Sequence, residues 1–315
     1  MENESILVSV LMITYNHEKF ISQAIEGVLK QHTDFKIELI ISDDCSKDET
    51  QSIIKKYAET NKSLIKPLYR DMNIGSMANF IETFSYCQGK YIALCEGDDF
   101  WTDPYKLQKQ IDFLENPEHN DVIAVVTNSS VCDLKSNTIN TSRMVIPPMN
   151  KEGIYTLSDF FKNNHQYPTL TVCFRNIDRT SLISNMTKLS NPFLGDWILW
   201  ILLHLQGAFY FMNQVTAAYR INPTSLTHSV NVIKRWEADF VIRKRLKEML
   251  PIKYHKYLRT NYNAYFKISM AYRKKKHFPR FLFYQFRAFL SNPMKYTHII
   301  LNIIQEKYYK GHPIS

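Results

Sequence analysis

The segment YIALCEGDDFWTDP, residues 91–104, runs an apolar stretch straight into three carboxylates, Glu96, Asp98 and Asp99. Carboxylates this crowded either face water in a turn or share a cation. In the plain reading the acidic pair caps the next element and meets solvent. In the chemical reading the hard oxygen donors bind Mg2+ or Mn2+, through one or two carboxylates together with substrate phosphates. Other clusters carry side chains of similar promise: Thr14-Tyr15-Asn16, Asp43-Asp44, Asp196 in LGDWILW, and Arg220 and His228 in AYRINPTSLTHS. Plain readings stand beside these too. Asn16 and Asp196 both sit where a helix N-cap is wanted, and a single histidine after a Pro-containing turn is an ordinary surface residue.

The elements that position these residues alternate between strand and helix. ILVSVLMIT (6–14) is a continuous β-rich run, and in NHEKFISQAIEGVLKQ the residues Phe20, Ile21, Ala24, Ile25, Val28 and Leu29 recur at helical spacing. FKIELIIS (35–42) repeats the strand, and Ser46 with Glu49 forms a capping-box pattern that announces the next helix. IKPLY (65–69), a turn around Asn73 and Gly75, a helix near 76–87 and the strand KYIALC (90–95) make a third round. Uninterrupted apolar strands between amphipathic helices predict a largely parallel sheet covered on both faces. Residues 1–130 therefore read as a nucleotide-fold α/β region whose ligand crevice lies outside the carboxyl ends of its strands. The polar clusters fall at those ends. VIAVVTNSSVCD (122–133) is a further strand, TLTVCFRN another, and FLGDWILWILLHLQG a helix. From about residue 230 the chain turns helical and basic.

Composition narrows the classes. An apolar share of 45% with 13% aromatics belongs to a folded protein. The formal charge of +9 is concentrated: residues 251–315 hold 13 Lys and Arg against Glu306 alone, so the preceding 250 residues carry a net −3. An acidic crevice-bearing region argues against nucleic acid as partner. Five cysteines without a Cys-x-x-Cys pair argue against a disulfide framework or a thiolate zinc site and suit a reducing cytoplasm. The opening MENESILVSV has no positively charged leader and reads as the approach to a core strand. WILWILLHLQGAFYFM (197–212) is shorter than the ~20 residues of a bilayer span and is broken by His204, Gln206 and Gly207, as a buried helix followed by a strand would be.

Taken in order, VSVLMITYNHEKFISQAIEGVLKQ, ELIISDDCSKDET, NIGSMANF, GKYIALCEGDDFWTDPYKLQKQIDFL and FLGDWILW resemble the GT-A type glycosyltransferases of family 2, particularly those of bacterial surface-polysaccharide assembly. The resemblance covers roughly residues 5–225. It implies a GT-A fold, a Rossmann-like mostly parallel sheet flanked by helices, over residues 1–229, with a nucleotide-binding half (1–130), an acceptor half (131–229) and a basic helical extension (230–315). It implies transfer of a sugar from a nucleotide sugar, UDP- or dTDP-linked, to a glycan or lipid-linked acceptor, with inversion and with Mn2+ or Mg2+. By the same resemblance Thr14, Tyr15 and Asn16 wrap the nucleotide, Tyr15 offering a stacking face. Asp44 accepts a hydrogen bond from the base, while Asp43 supports the turn. Asn79 faces the crevice. Asp99 contacts the metal, and Asp98 contacts it or the ribose; Glu96 fills the first acidic slot if the signature is read as Glu-Gly-Asp. Asp196 is the base. Arg220 pairs with phosphate. Related enzymes often place a histidine where Asn222 stands, and His228 is the substitute within reach.

In the tail, AYRKKKHFPRFLFYQFRAFL sets clustered cations against Phe281, Leu282, Phe283, Phe286, Phe289 and Leu290. The pattern fits peripheral contact with an anionic membrane through residues 272–290, at the inner face, or a helical subdomain whose aromatics pack inward. Two rivals to the enzyme reading stay open. A different nucleotide-binding transferase should show a Gly-rich phosphate loop after the first strand, which TYNHEKF lacks, and an inactive assembly partner would keep the fold without the chemistry.

Overall fold

Four apolar runs form the parallel part of the sheet: β1 (Val8–Thr14), β2 (Ile37–Asp43), β3 (Ile65–Tyr69) and β4 (Tyr91–Leu94). β1 lies between β2 and β4 and is parallel to both, and β3 continues the parallel set beyond β2. The computed structural model describes residues 5–140, 151–163, 167–191, 194–222, 232–258, 262–291 and 297. Beyond β4 the sheet turns mixed. β9 (Val172–Arg175) inserts antiparallel between β4 and β6 (Val122–Cys132), β10 (Ala208–Arg220) runs parallel to β6, and the two-residue β5 (Phe100–Trp101) closes that edge antiparallel to β10. The short β7 (Thr138–Asn140) and β8 (Gly153–Tyr155) flank β6 and β10. Sequence order alone would have set β6 beside β4; the later strand β9 takes that place.

Helices α1 (Ile21–Leu29), α2 (Thr50–Thr60), α3 (Ser76–Tyr86) and α4 (Lys106–Glu115) follow β1, β2, β3 and β5. α1 buries Ile21, Ala24, Ile25 and Val28 in the core that includes Val10, Met12, Leu39, Ile41 and Trp101. Gly27 allows its closest approach, since a Cβ there would stand 2.9 Å from the Trp101 backbone nitrogen. The remaining helices of this part are α5 (Leu157–Asn163), α6 (Arg179–Lys188) and α7 (Gly195–His204), and α7 leads into β10 as the helix-then-strand reading of 197–212 expects.

Two local expectations need correction. The Ser46/Glu49 capping box does not form: α2 starts at Thr50 and Glu49, its cap position, makes no side-chain capping bond. Ser46 instead donates its hydroxyl to Asp43, while Asp48 accepts the Thr50 N–H at 3.1 Å. Asn16 likewise caps no helix, because α1 begins at Ile21 and Asn16 sits in the left-handed region with φ 55°.

The chain divides into two compact units, Met1–Ser225 and Leu226–Ser315. In the second, α8 (Val232–Met249), α9 (Tyr262–Lys274) and α10 (Phe278–Ser291) surround a small core of Ile233, Ile268 and Tyr272, against which Trp236, Phe240, Phe281 and Tyr284 pack. Among the described residues no helix is long and apolar enough to cross a membrane.

Candidate active site

The carboxyl ends of β1 and β2 lie level, with Thr14 opposite Asp43 in register. The loops that leave them are stitched together. Asn16 donates its N–H to Ser46 Oγ at 2.8 Å and accepts the Lys47 N–H on Oδ1 at 2.8 Å, which its left-handed backbone makes geometrically possible. Asp43 accepts the Ser46 N–H at 2.9 Å and Gln51 Nε2 at 2.7 Å, so it supports the turn. Tyr15, 41% exposed, stands at the surface of this loop pair.

Asp44 is buried. Its two oxygens accept the Ile74 and Gly75 N–H groups at 2.8 and 2.9 Å, and its own N–H donates to the Thr14 carbonyl at 3.0 Å. Gly75, at φ 86°, supplies the backbone turn that aims both N–H groups at one carboxylate. Asn79 does not face the crevice: it is buried, its Oδ1 accepts Ser42 Oγ at 2.6 Å and Arg70 Nε at 3.0 Å, and its Nδ2 donates to the Ser42 carbonyl. The residue it holds is one that sequence reasoning missed. Arg70 pairs with Glu82 at 2.7 Å through Nη1 and keeps a buried Nη2 without a partner, and its N–H donates to the Asp43 carbonyl. A guanidinium donor in that position, beside the two acidic turns, can be satisfied by water or by another acceptor from outside the chain. The only signal in the sequence was a single cation after β3, in LYRDMN.

The acidic loop after β4 presses against the end of β1. Gly97 donates its N–H to the Ile13 carbonyl at 3.1 Å, and a Cβ on it would lie 2.6 Å from Thr14 Oγ1 and 3.0 Å from His17 Nδ1. Any side chain there would force Thr14 or His17 to give way. Thr14 Oγ1 is 3.1 Å from His17 Nδ1, and His17 Nε2 is 3.8 Å from Asp98 Oδ2, with the Asp98 side chain 17% exposed. His17 is a second residue that composition and spacing did not single out. Burial, then the neighbouring Asp98 charge, pushes the Glu96 carboxyl up to about 8, a hydrogen bond from the Thr169 side chain acting the other way and Asp196 adding to the rise. Its Oε2 is buried without a partner. Crowding is thus met partly by one acid holding its proton.

Asp99 is buried and accepts the Arg220 N–H on Oδ1 at 2.7 Å. Arg220, expected to pair with phosphate, engages its guanidinium within the chain. Its guanidinium donates to the Asp98 carbonyl (2.9 Å), the Asp133 carbonyl (3.0 Å), Ser136 Oγ (3.0 Å) and Gln23 Oε1 (2.7 Å), and lies over the rings of Phe20 and Phe100. Arg220 is a buried clamp on the acidic loop. Asn222 is buried too, and His228 lies outside the described residues.

Asp196 stands in the first turn of α7, one residue inside the helix and not at its cap, which is Leu194. Its Oδ1 accepts the Trp197 N–H at 2.7 Å. Gly195 before it is packed under α3, since a Cβ would stand 2.8 Å from Met77 Sδ. The effect of Asp196 on Glu96 puts the two within electrostatic reach of one another. Among the described residues no three His, Cys, Asp or Glu side chains converge as a ready metal cluster. The donors at hand still fit a hard cation: Asp98 and Asp99 bring carboxylate oxygens to the crevice end of the sheet.

A family model described as "Glycosyl transferase family 2" matches residues 9–182. An uncharacterised protein of Mycobacterium tuberculosis H37Rv is 30% identical over 236 residues, 73% of this chain and 64% of that protein, so the chain spans less than two thirds of that relative. TuaG of Bacillus subtilis 168, named as a teichuronic acid biosynthesis glycosyltransferase, is 35% identical over 115 residues, 36% of this chain and 44% of its own. Two solved structures share the fold. TarS residues 1–349 of S. aureus in complex with UDP-GlcNAc superpose with TM-score 0.59 at 16% identity, over 84% of this chain and 81% of TarS. The Pyrobaculum calidifontis mannosyltransferase PcManGT, in complex with GDP-Man and Mn2+, superposes with TM-score 0.56 at 15% identity, over 98% and 82%.

Proposed function

The chain belongs to glycosyl transferase family 2, and from that premise we propose that it moves a sugar from a nucleoside-diphosphate sugar, UDP- or dTDP-linked, to a hydroxyl of a glycan or lipid-linked acceptor. The observation that carries this reading is the acidic loop Glu96–Asp99 seated at the ends of β1 and β4, with the Gly97 N–H on the Ile13 carbonyl at 3.1 Å and Asp98 3.8 Å from His17. In the proposed arrangement residues 1–130 take the nucleotide and 131–229 the acceptor. Tyr15 offers an exposed ring for the base, Asn16 and Asp44 hold the loops around it, and the unpaired Arg70 Nη2 donates to an oxygen of the nucleotide. That TarS was solved with UDP-GlcNAc and PcManGT with GDP-Man supports a nucleotide-sugar donor here.

Asp98 and Asp99 would hold a divalent cation, Asp99 from a carboxylate already fixed by the Arg220 N–H. Such a cation supplies positive charge against the departing diphosphate. Asp196 takes the proton of the acceptor hydroxyl, its carboxylate oriented by the Trp197 N–H at the start of a rigid apolar helix. The acceptor oxygen freed of that proton attacks the anomeric carbon from the face opposite the nucleoside diphosphate, the new glycosidic bond forming as the bond to the diphosphate oxygen breaks, so that the anomeric centre is inverted. Thr14 and His17 keep Asp98 in place from the β1 side.

The test is release of nucleoside diphosphate from UDP-, dTDP- and GDP-sugars, with Mn2+ and with chelator, in the presence of acceptor glycans. Asp196→Asn and Asp98→Asn should each abolish it while nucleotide binding survives in Asp196→Asn. A rate untouched by either substitution removes that residue from the mechanism. Nucleotide binding without release from any donor would assign the chain to the inactive partners.

A further inference from the structure

The second unit carries an apolar face that its own core does not use. α10 packs Phe281 and Tyr284 against Ile268 and Tyr272, and buries Gln285 and Ala288 on the same side. On its other side Phe278, Leu282, Phe283, Phe286 and Leu290 are 62, 62, 51, 61 and 57% exposed. At about 100° per residue these five fall within an arc of roughly 140°. Arg280 and Arg287 border that arc, Arg287 lying 5.3 Å over the Phe283 ring, and Arg273, Lys274, Lys275 and Lys276 are exposed just before the helix.

Charge selects the occupant. Residues 251–291 contain ten Lys and Arg and no Asp or Glu. A second copy of the chain would bring like charges together around the apolar face, and residues 292–315, with a net +2, offer no complement either. Nucleic acid would satisfy the cations and leave the aromatic and leucine side chains in water. A bilayer with anionic headgroups satisfies both, since an amphipathic helix lies in the interface with its apolar face among the acyl chains and its cations at the phosphates. We infer that this face of α10 is a docking surface for an anionic lipid bilayer. The inference stands apart from the proposed transfer reaction and is tested without donor or acceptor.

The full chain is sedimented with sucrose-loaded vesicles of phosphatidylcholine alone or with a third phosphatidylglycerol. Partitioning should favour the anionic vesicles by on the order of tenfold and fall with added salt. Leu282→Ser with Phe286→Ser, both at exposed positions, should lower it by roughly tenfold. Lys274→Ala with Lys275→Ala and Lys276→Ala should lower it likewise and flatten the salt dependence. Circular dichroism and gel filtration establish that the variants remain folded. Absence of binding, or equal binding by the Leu282/Phe286 variant, overturns the inference. So does a solution dimer that the same variant dissociates, which assigns the face to a second copy. Binding that appears only after deletion of residues 292–315 overturns it too, by assigning the face to that segment.

Discussion

Oδ1 of Asp99 accepts the backbone N–H of Arg220 at 2.7 Å, tying the acidic loop to the end of β10 across 121 positions of sequence. Arg220 returns the contact with its side chain, whose Nε reaches the Asp98 carbonyl at 2.9 Å. One residue therefore fixes both aspartates of the loop, by main chain and side chain, from the strand that pairs with β5. The arginine acts on the crevice without facing it.

Replacing Arg220 with Met should therefore destabilise the protein, by about 3–5 kcal/mol, because acceptors at Asp98, Asp133, Ser136 and Gln23 lose a buried partner together. Lysine should not rescue it, since an ammonium cannot fork to four acceptors between two rings. Urea unfolding midpoints measure both. If Arg220→Lys instead retains full stability while nucleotide affinity falls, the clamp role is wrong.

Gly97→Ala should disturb the site from within. The new Cβ meets Thr14 Oγ1 and the Thr14 Cβ at 2.6 and 2.8 Å, and because the Thr14 Cβ is fixed by the β1 backbone, turning the hydroxyl away does not relieve the clash. A cost of about 1–3 kcal/mol is expected, together with loss of the Thr14–His17 contact. The histidine ring resonances in a proton–nitrogen correlation spectrum report that loss directly.

Glu96 makes stability depend on pH in an unusual direction for an acid. Its carboxyl, raised from 4.5 to about 8 by burial and by the Asp98 charge, binds a proton in the folded protein over a range where the unfolded chain has lost it. The stability it contributes is complete below pH 4.5, declines as the pH rises through 8, and then levels off. Glu96→Gln, which cannot ionise, should remove that decline. Denaturant midpoints for both proteins between pH 5 and 9 should converge at the acid end and part toward the alkaline end. Parallel profiles would show that Glu96 ionises normally.

The strands, and the ends at which chemistry gathers, were legible because a buried parallel strand must be apolar throughout and its loop must carry the polar groups. β1, β2, β3 and β4 fall where their apolar runs lie. What was hidden depends on contacts distant in sequence. The insertion of β9 beside β4 is set by pairing across some 80 residues, and no local pattern records it. Arg220, at the end of an apolar strand, reads like a ligand-facing cation; only Gln23 of α1 and Asp133 and Ser136 of the turn after β6 show it to be a clamp. Asn79 was misplaced for a similar reason, as its helix face meets β2 through Ser42. The capping-box pattern at Ser46 failed because its hydroxyl is already engaged, donating to Asp43 and accepting the Asn16 N–H.

Asp44 carries two demands that one substitution can separate. Its oxygens hold the Ile74 and Gly75 N–H groups, and the proposed nucleotide site lies against the same turn. Asparagine keeps one acceptor but turns an NH2 toward the other N–H, so Asp44→Asn should cost about 1–3 kcal/mol through one unpaired buried donor. Asp44→Ala leaves both donors unpaired and should cost more. If Asp44 only anchors the turn, nucleotide affinity should fall in step with stability across the two variants. If it also contacts the base, Asp44→Asn should lose affinity for UDP well beyond its loss of stability, and the excess should vanish with ribose 5-diphosphate, which has no base. Calorimetric titration of the three proteins with the two ligands decides between them, because only a base contact can make the difference depend on the presence of uracil.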